Sequence, residues 1–420
     1  MRFRHPDGST VHLAYCTNVH AAEDLDGVLR QLADHAEPVR RRLHRDRLGI
    51  GLWLARAAAR ELTADPAALR RLRAALDARG LEVVTLNGFP YEGFGAETVK
   101  HRVYRPDWTE SARLDHTVDL ARLLAGLLPD DVREGTVSTL PLAWRTGFTE
   151  HDRRTALHQL NTLAGRLDAL EELTGRSIRV GLEPEPGCVV ETTDQAVAVL
   201  TDAHAPPARR LGLCLDTCHL ATAFEDPSTA LTALAGAGVP VVKAQLSAAL
   251  HAQEPRRADV RAALAEYAEP RFLHQTRAAV DPAARSDEVA GDGPALQGGP
   301  AAPTGQTGLP GLTGTDDLDA ALTPGALPTE VPWRAHFHVP LHAPLRPPLT
   351  ATLSVLRDTL TELLGGPRPL THHLEVETYT WQALPEGLRP RTRAQLADGI
   401  AAELAVARDL LADLGLKELP

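Results

Sequence analysis

Four cysteines in 420 residues, Cys16, Cys188, Cys214 and Cys218, are too few and too scattered for a disulfide framework. Reduced thiols and a cytoplasmic setting are the expectation. Cys214 and Cys218 flank an aspartate, but their spacing is not that of a zinc knuckle. Nothing beside Cys218 in the sequence would lower its pKa, which favours an inert thiol over a nucleophile. Long apolar runs are missing too. No span is long enough to cross a bilayer, and the basic start, Met1-Arg2-Phe3-Arg4-His5-Pro6-Asp7-Gly8, lacks the apolar stretch of a signal peptide. Positive charge is short: 44 Lys and Arg stand against 55 Asp and Glu, a formal charge of −11. That balance argues against broad phosphate-backbone binding, so no nucleic-acid partner is expected. No Gly-x-Gly-x-x-Gly or phosphate-loop pattern follows an apolar run, which speaks against a nucleotide-binding doubly wound sheet. These absences leave a soluble protein that handles a small molecule.

What is present is an alternation of strand-like and helix-like segments. The apolar runs Val11–Val19, Ile50–Leu54, Leu81–Leu86, Gly135–Leu140, Ile178–Leu182, Leu211–Leu215, Val239–Leu246 and His372–Thr378 read as eight strands. Amphipathic stretches stand between them. One runs from Glu23 to Leu43. Another starts at Asp65 before Pro66 and stops at Gly80. Thr149 to Thr174 is ended by Gly175, and Thr350–Leu364 and Arg391–Leu414 flank the last strand. Eight such repeats predict one (β/α)8 TIM-barrel domain over residues 1–420. The regularity breaks late. No aromatic residue lies between Phe272 and Trp333, and Gly and Pro dominate from Gly291 to Pro332. Residues 281–332 are therefore expected to be a low-complexity, disordered insertion before the last strand.

Polar clusters sit where apolar runs end: Glu183-Pro184-Glu185-Pro186, Asp216-Thr217-Cys218-His219, His336-Phe337-His338 and Glu375-Val376-Glu377. A parallel barrel gathers its strand ends into one mouth, and carboxylates with imidazoles suit a divalent metal. Alternation along the strands turns Glu183, Asp216 and Glu377 inward. Buried alone, each would carry a large desolvation cost, which a cation offsets for all three. Asp216-x-x-His219 can offer that cation an oxygen and a nitrogen, or set the imidazole beside a substrate. His336 and His338, two apart, share a face if extended. His274 is a weaker candidate. Glu185, between two prolines, suits a positioning role. Lys243, Gln245 and Ser247 share an inward face; Lys243 either holds an anionic substrate group or balances charge. Asn18, His20 and Asn87 are candidate hydroxyl-binding groups, with a turn role open for Asn87 beside Gly88.

The order of a strand-end Glu, then Asp-x-x-His, then a final Glu resembles the xylose isomerase-like barrels. Those include sugar-phosphate isomerases and epimerases and the endonuclease IV-type repair enzymes. Further segments resemble the metabolite traffic proteins of the EboE family. They are Tyr15-Cys16-Thr17-Asn18-Val19-His20, Thr85-Leu86-Asn87-Gly88-Phe89-Pro90-Tyr91, Val103-Tyr104-Arg105-Pro106-Asp107-Trp108, Ser138-Thr139-Leu140-Pro141, Glu183-Pro184-Glu185-Pro186-Gly187 and Glu375-Val376-Glu377-Thr378-Tyr379-Thr380-Trp381. The resemblance implies a divalent cofactor, Mn, Mg, Co or Zn. It implies that Glu183 and Glu377 both bind the metal and move protons, that Asp216 is a third ligand, and that His219 binds metal or substrate. Where the epimerase pattern has a strand-seven histidine, this chain has Gln245, whose amide oxygen is a weaker ligand; otherwise His274, His336 or His338 enters instead. The strand-four histidine of the repair enzymes has no counterpart in Ser138-Thr139-Leu140-Pro141. The implied activity is metal-dependent isomerisation or epimerisation of a polyhydroxylated metabolite, with other proteins of the same pathway as partners. A non-catalytic metabolite-binding role is the alternative, and phosphodiester cleavage the less favoured third.

Overall fold

The structure, a computed structural model, describes residues 1–280, 309, 311–343 and 345–420. Strand β1 (Arg2–Arg4) lies antiparallel on β2 (Thr10–Cys16). From β2 onward the strands run parallel: β3 (Leu48–Trp53), β4 (Leu81–Asn87), β5 (Glu134–Thr139), β6 (Ser177–Leu182), β7 (Leu211–Asp216) and β8 (Val241–Leu246). An excursion of five short strands follows: β9 (Leu250–Ala252), β10 (Thr276–Ala279), β11 (Leu312–Thr315), β12 (Trp333–Ala335) and β13 (Thr350–Ala351). They form a separate antiparallel sheet, ordered β11-β10-β12-β9-β13. Strand β14 (His373–Val376) then pairs in parallel with both β8 and β2, closing eight strands into a barrel. Strand β15 (Lys417–Glu418) pairs with β1.

Local signals set several boundaries. Thr149 caps the helix Glu150–Thr174 in a reciprocal box with Asp152, and Gly175 ends it at φ 67°. The Asp65 side chain accepts the Ala67 N–H at 2.8 Å, starting the helix Pro66–Asp77. The stretch expected as one helix from Glu23 to Leu43 is instead Leu25–Gln31, a π turn over Leu32–Ala36, and Glu37–Arg42. Pro38 supplies the reason: it has no N–H for the Asp34 carbonyl, so the helical ladder is interrupted there.

The expected insertion needs a correction. Residues 281–308 and 310 lie outside the described residues. From Leu312 on, however, the chain is regular. Strand β11 pairs with β10, a short helix spans Leu318–Ala321, and Leu312, Leu318, Ala321 and Leu327 are buried. Ladder hydrogen bonds and these few apolar anchors order a segment whose Gly and Pro content argued otherwise.

Alternate residues of β14 project into the barrel at successive levels. At the lowest, His373 stacks on His12 with ring centroids 5.7 Å apart. Above it Lys243 Nζ lies 3.1 Å from Glu375 Oε1, both side chains wholly buried. Glu377 follows at the mouth. The middle level is tight. A Cβ on Gly51 would stand 1.4 Å from Glu375 Oε2 and 2.1 Å from its Cδ. The carboxylate must move to make room, so Gly51→Ala is expected to push it off Lys243 and to cost about 1–3 kcal/mol of stability. Urea unfolding of the two proteins checks this; an unchanged midpoint at unchanged slope overturns it.

Candidate functional site

Three carboxylates converge at the carboxyl ends of the barrel strands. Glu183 directly follows β6, Asp216 ends β7 and Glu377 directly follows β14. One oxygen from each lies within 4.8 Å of the other two, and all three residues are at most 4% exposed. Asp216 does two things at once. Its Oδ1 caps the following turn, accepting the N–H groups of Cys218 (2.8 Å) and His219 (3.0 Å) and the Ser247 hydroxyl (2.8 Å). Its Oδ2 is buried with no hydrogen-bond partner among the described residues, as is Glu183 Oε2. Glu377 Oε1 accepts the amides of Asn18 (2.6 Å) and Asn87 (2.9 Å). Among the described residues no lysine or arginine hydrogen-bonds to the three. Burial, then mutual repulsion with Asp216, pushes the Glu183 carboxyl up to about 7, against the pull of His219. Burial followed by Glu183 and Asp216 drives Glu377 well above the ordinary range.

Beside the carboxylates lies a trio of imidazoles, all buried. His219 comes from the turn after β7, and His336 and His338 from the segment that follows β12. Each places its Nδ1 against a carbonyl oxygen: His219 on Pro184 (2.8 Å), His336 on the Gln275 side chain (2.7 Å) and His338 on the Glu377 backbone (2.7 Å). A carbonyl only accepts, so each Nδ1 carries the proton and each neutral ring turns its Nε2 lone pair inward. The lone pairs meet, with His219 and His336 Nε2 at 3.0 Å and His336 and His338 Nε2 at 3.2 Å. Facing lone pairs at that distance need a proton or a cation among them. The environments differ. Burial lowers His336 strongly and brings His338 down to about 4. For His219 burial also lowers, but Asp216, Glu185 and Glu183 outweigh it and the net shift is upward.

A second layer holds these groups in place. Tyr104 donates to Glu185 (2.7 Å), Gln275 Nε2 donates to the Tyr104 oxygen (2.8 Å), and the Gln275 carbonyl takes the His336 proton. Burial raises Glu185 to about 7. Buried Glu403 accepts from Leu341 N (3.0 Å), the Thr378 hydroxyl (2.6 Å) and the Trp381 indole (3.2 Å). It thereby ties together the segments that follow His338 and Glu377. Glu191 bridges Arg277 of β10 (2.5 Å) and Arg145 (3.0 Å), locking the added sheet to the loop after β6. The cavity above encloses about 510 Å³ including its open mouth.

The sequence-derived candidates separate here. Glu183, Asp216, His219, His338 and Glu377 come together. Asn18 and Asn87 line the cavity while holding Glu377, and Asn87 also accepts the Phe89 N–H at 3.0 Å, the turn role. Gln245 stands behind Glu183 and donates to it at 2.5 Å, with its own Oε1 buried and unpartnered. His274 is bound to Glu269 (2.9 Å) and to the His336 carbonyl (2.8 Å), away from the three converging lone pairs. Two candidates stand apart from the cavity. Lys243 is a level below the mouth and paired with Glu375, which matches the charge-balancing one of its two readings. His20 faces away and stacks on His35 at 3.9 Å, because the chain leaves its extended form at Thr17 and enters a 3-10 turn. Gln275 and the roles of Tyr104 and Tyr379 were not foreseen. The two tyrosines stand in segments that carry the family resemblance, whereas nothing marks Gln275.

Eight parallel strands closed on themselves, with acidic and imidazole groups on their carboxyl ends, define a TIM barrel built around a candidate metal centre. The chain belongs to the xylose isomerase-like TIM barrel family, whose sequence profile matches residues 49–268. Similar solved structures include a xylose isomerase-like TIM barrel protein from Mycobacterium smegmatis in complex with magnesium, at 14% identity and TM-score 0.44, covering 97% of this chain and 94% of that one. The IOLI protein with a bound zinc atom aligns at 12% identity and TM-score 0.43, over 96% of this chain and 99% of that one. The 3-keto-D-glucoside 4-epimerase YcjR from E. coli aligns at 15% identity and TM-score 0.36, over 56% and 78%. No curated protein matches the chain. Among the described residues no helix is long and apolar enough to cross a membrane.

Proposed function

We propose that this barrel is a divalent-metal-dependent isomerase or epimerase of a polyhydroxylated carbonyl compound, serving precursor handling as in the EboE metabolite traffic family. The observation that carries the reading is the convergence of Glu183, Asp216 and Glu377, with two buried carboxylate oxygens that have no hydrogen-bond partner among the described residues. Such a donor set fits Mn, Mg, Co or Zn, and the same three residues with His219 would hold it. When bound, the cation supplies positive charge beside substrate carbonyl and hydroxyl oxygens. Glu183 takes a proton from the carbon next to the carbonyl, and Glu377, fixed by Asn18 and Asn87, returns one. Asn18 Oδ1, buried and unpartnered, accepts a substrate hydroxyl. Pathway proteins are the expected macromolecular partners. A non-catalytic metabolite-binding role draws its support from Gln245, which stands where an imidazole would ligate.

The test is metal titration of the purified, chelator-treated protein, followed by a panel of ketoses and aldoses. Dication affinity is expected to rise with pH, because binding displaces a proton from Glu183, which burial holds at about 7. One proton lost by a group at about 7 tightens Mn binding about tenfold between about pH 6 and about pH 8. Without metal the sign reverses for stability. A carboxyl raised on folding contributes stability that is complete below its unfolded value and is lost as pH rises through about 7. Added Mn therefore raises the unfolding temperature more at the higher pH. A pH-independent affinity, or no binding, counts against the reading.

The imidazole trio favours a second reading, a two-metal centre for phosphoester hydrolysis. Zinc-loaded protein that cleaves an abasic duplex supports that reading; zinc-loaded protein that leaves it intact removes it.

A further inference from the structure

The cavity over the carboxylates is polar at its floor and apolar on its walls. Of the seventeen aromatic residues in the chain, five line this one cavity. Phe94, Phe272 and Tyr379 meet one another at centroid distances of 5.3, 5.5 and 4.9 Å, in tilted and edge-on contacts. Phe89 and Tyr104 form a second group, 6.2 Å apart, and Leu273 joins them. The polar atoms these walls possess are already engaged. Tyr104 donates to Glu185, and Tyr379 Oη lies 3.3 Å from His336 Nε2, pointing to the floor. Lys100, the one Lys or Arg among the described lining residues, is paired with Asp317.

A fully hydroxylated chain or ring needs hydrogen-bond partners along its whole length, because a hydroxyl buried without one is costly. A single flat aromatic platform can take one face of a sugar while the ring edge bonds elsewhere. Here three rings close on one another at an angle and leave carbon on several sides. Among the described lining residues, the polar side chains other than the engaged Lys100, Tyr104 and Tyr379 are Asn18, Asn87, Glu183, Glu185, Glu377 and the imidazoles.

We infer that the substrate is amphiphilic: a vicinal diol or hydroxy-carbonyl head that reaches the carboxylates, joined to an aryl or short alkyl body that fills the aromatic walls. The inference rests on the proposed isomerase or epimerase chemistry at the floor and confines the substrate's hydroxyls to the head that reaches it.

The test compares four probes by calorimetry on the full chain, with and without Mn. Hexane-1,2-diol and 1-phenylethane-1,2-diol carry head and body. Propane-1,2-diol carries the head alone. Sorbitol has the length of hexanediol with a hydroxyl on every carbon. Each buried methylene is worth about fourfold in affinity. Hexanediol and phenylethanediol are therefore expected to bind at least about tenfold tighter than propanediol or sorbitol. Phe94→Ser and Phe272→Ser should each remove most of that preference and leave Mn affinity unchanged. Phe272→Leu, which keeps the wall apolar, should retain the hexanediol preference and guards against a folding defect in the serine variants. Sorbitol binding as tightly as hexanediol overturns the inference, as does a preference that survives both serine variants. Mn affinity is read separately by electron paramagnetic resonance. Its absence sinks the metal reading, while the wall preference is still decided on the metal-free protein.

Discussion

Glu183→Gln and Glu377→Gln each weaken Mn binding by more than about a hundredfold and abolish turnover. The bound follows from comparison: loss of a group that only orients a ligand already costs about 10–100-fold, and these changes remove a ligand's charge. Asn18→Ala and Asn87→Ala, which free Glu377 Oε1 without touching the donor set, supply that smaller loss as an internal reference. The same glutamine variants move the other way in stability. Without metal, three carboxylates crowd a buried site, and neutralising one relieves the repulsion. Metal-free Glu377→Gln is expected to unfold at a higher temperature than the wild type at about pH 8. A residue that merely supported the fold would lose stability instead. Equal Mn affinity in wild type and both variants would sink the metal centre.

Lys243→Met is expected to cost about 3–5 kcal/mol of stability, because it leaves Glu375 as a charge without a partner in the barrel interior. Both side chains are fully buried, so no solvent screens the loss. The pair Lys243→Met with Glu375→Leu should recover most of it, since replacing both members removes the orphan. Urea unfolding of the three variants settles the matter. If Lys243 instead served a substrate anion, the single variant would unfold at the wild-type midpoint and lose ligand affinity.

That lysine shows where reading the chain stops. Alternation along β8 and β14 turns Lys243, Gln245, Glu375 and Glu377 inward, and all of them do face the interior. The pairing of Lys243 with Glu375 depends on the level at which two strands meet, which no local pattern encodes. His20 failed for a sharper reason. It was read as standing at the end of the first strand, but the strand ends at Cys16 and the next residues wind into a turn. The stretch from Glu23 to Leu43 was read from its apolar spacing, which carries no sign of the interruption at Pro38. Beyond β8, Gly and Pro content suggested a segment without order, while the ordering forces are ladder bonds to residues far away in the sequence. The carboxylate triad was readable because each member sits at the end of a strongly apolar run, and barrel closure fixes the destination of every such end. Gln275 and the aromatic walls come from loops, whose direction no periodicity predicts.

Asn18 sits just past the first barrel strand and Glu377 just past the last, and their hydrogen bond spans the join between β2 and β14. The candidate centre is thus assembled across the seam of the cylinder. Until β14 docks, the chain holds two of its three acids and neither amide is engaged with the third. If the proposed cation binds there, completing the tertiary structure and acquiring competence to capture it are one event, and a ligand gripping both margins of that join would act as a clasp against unzipping.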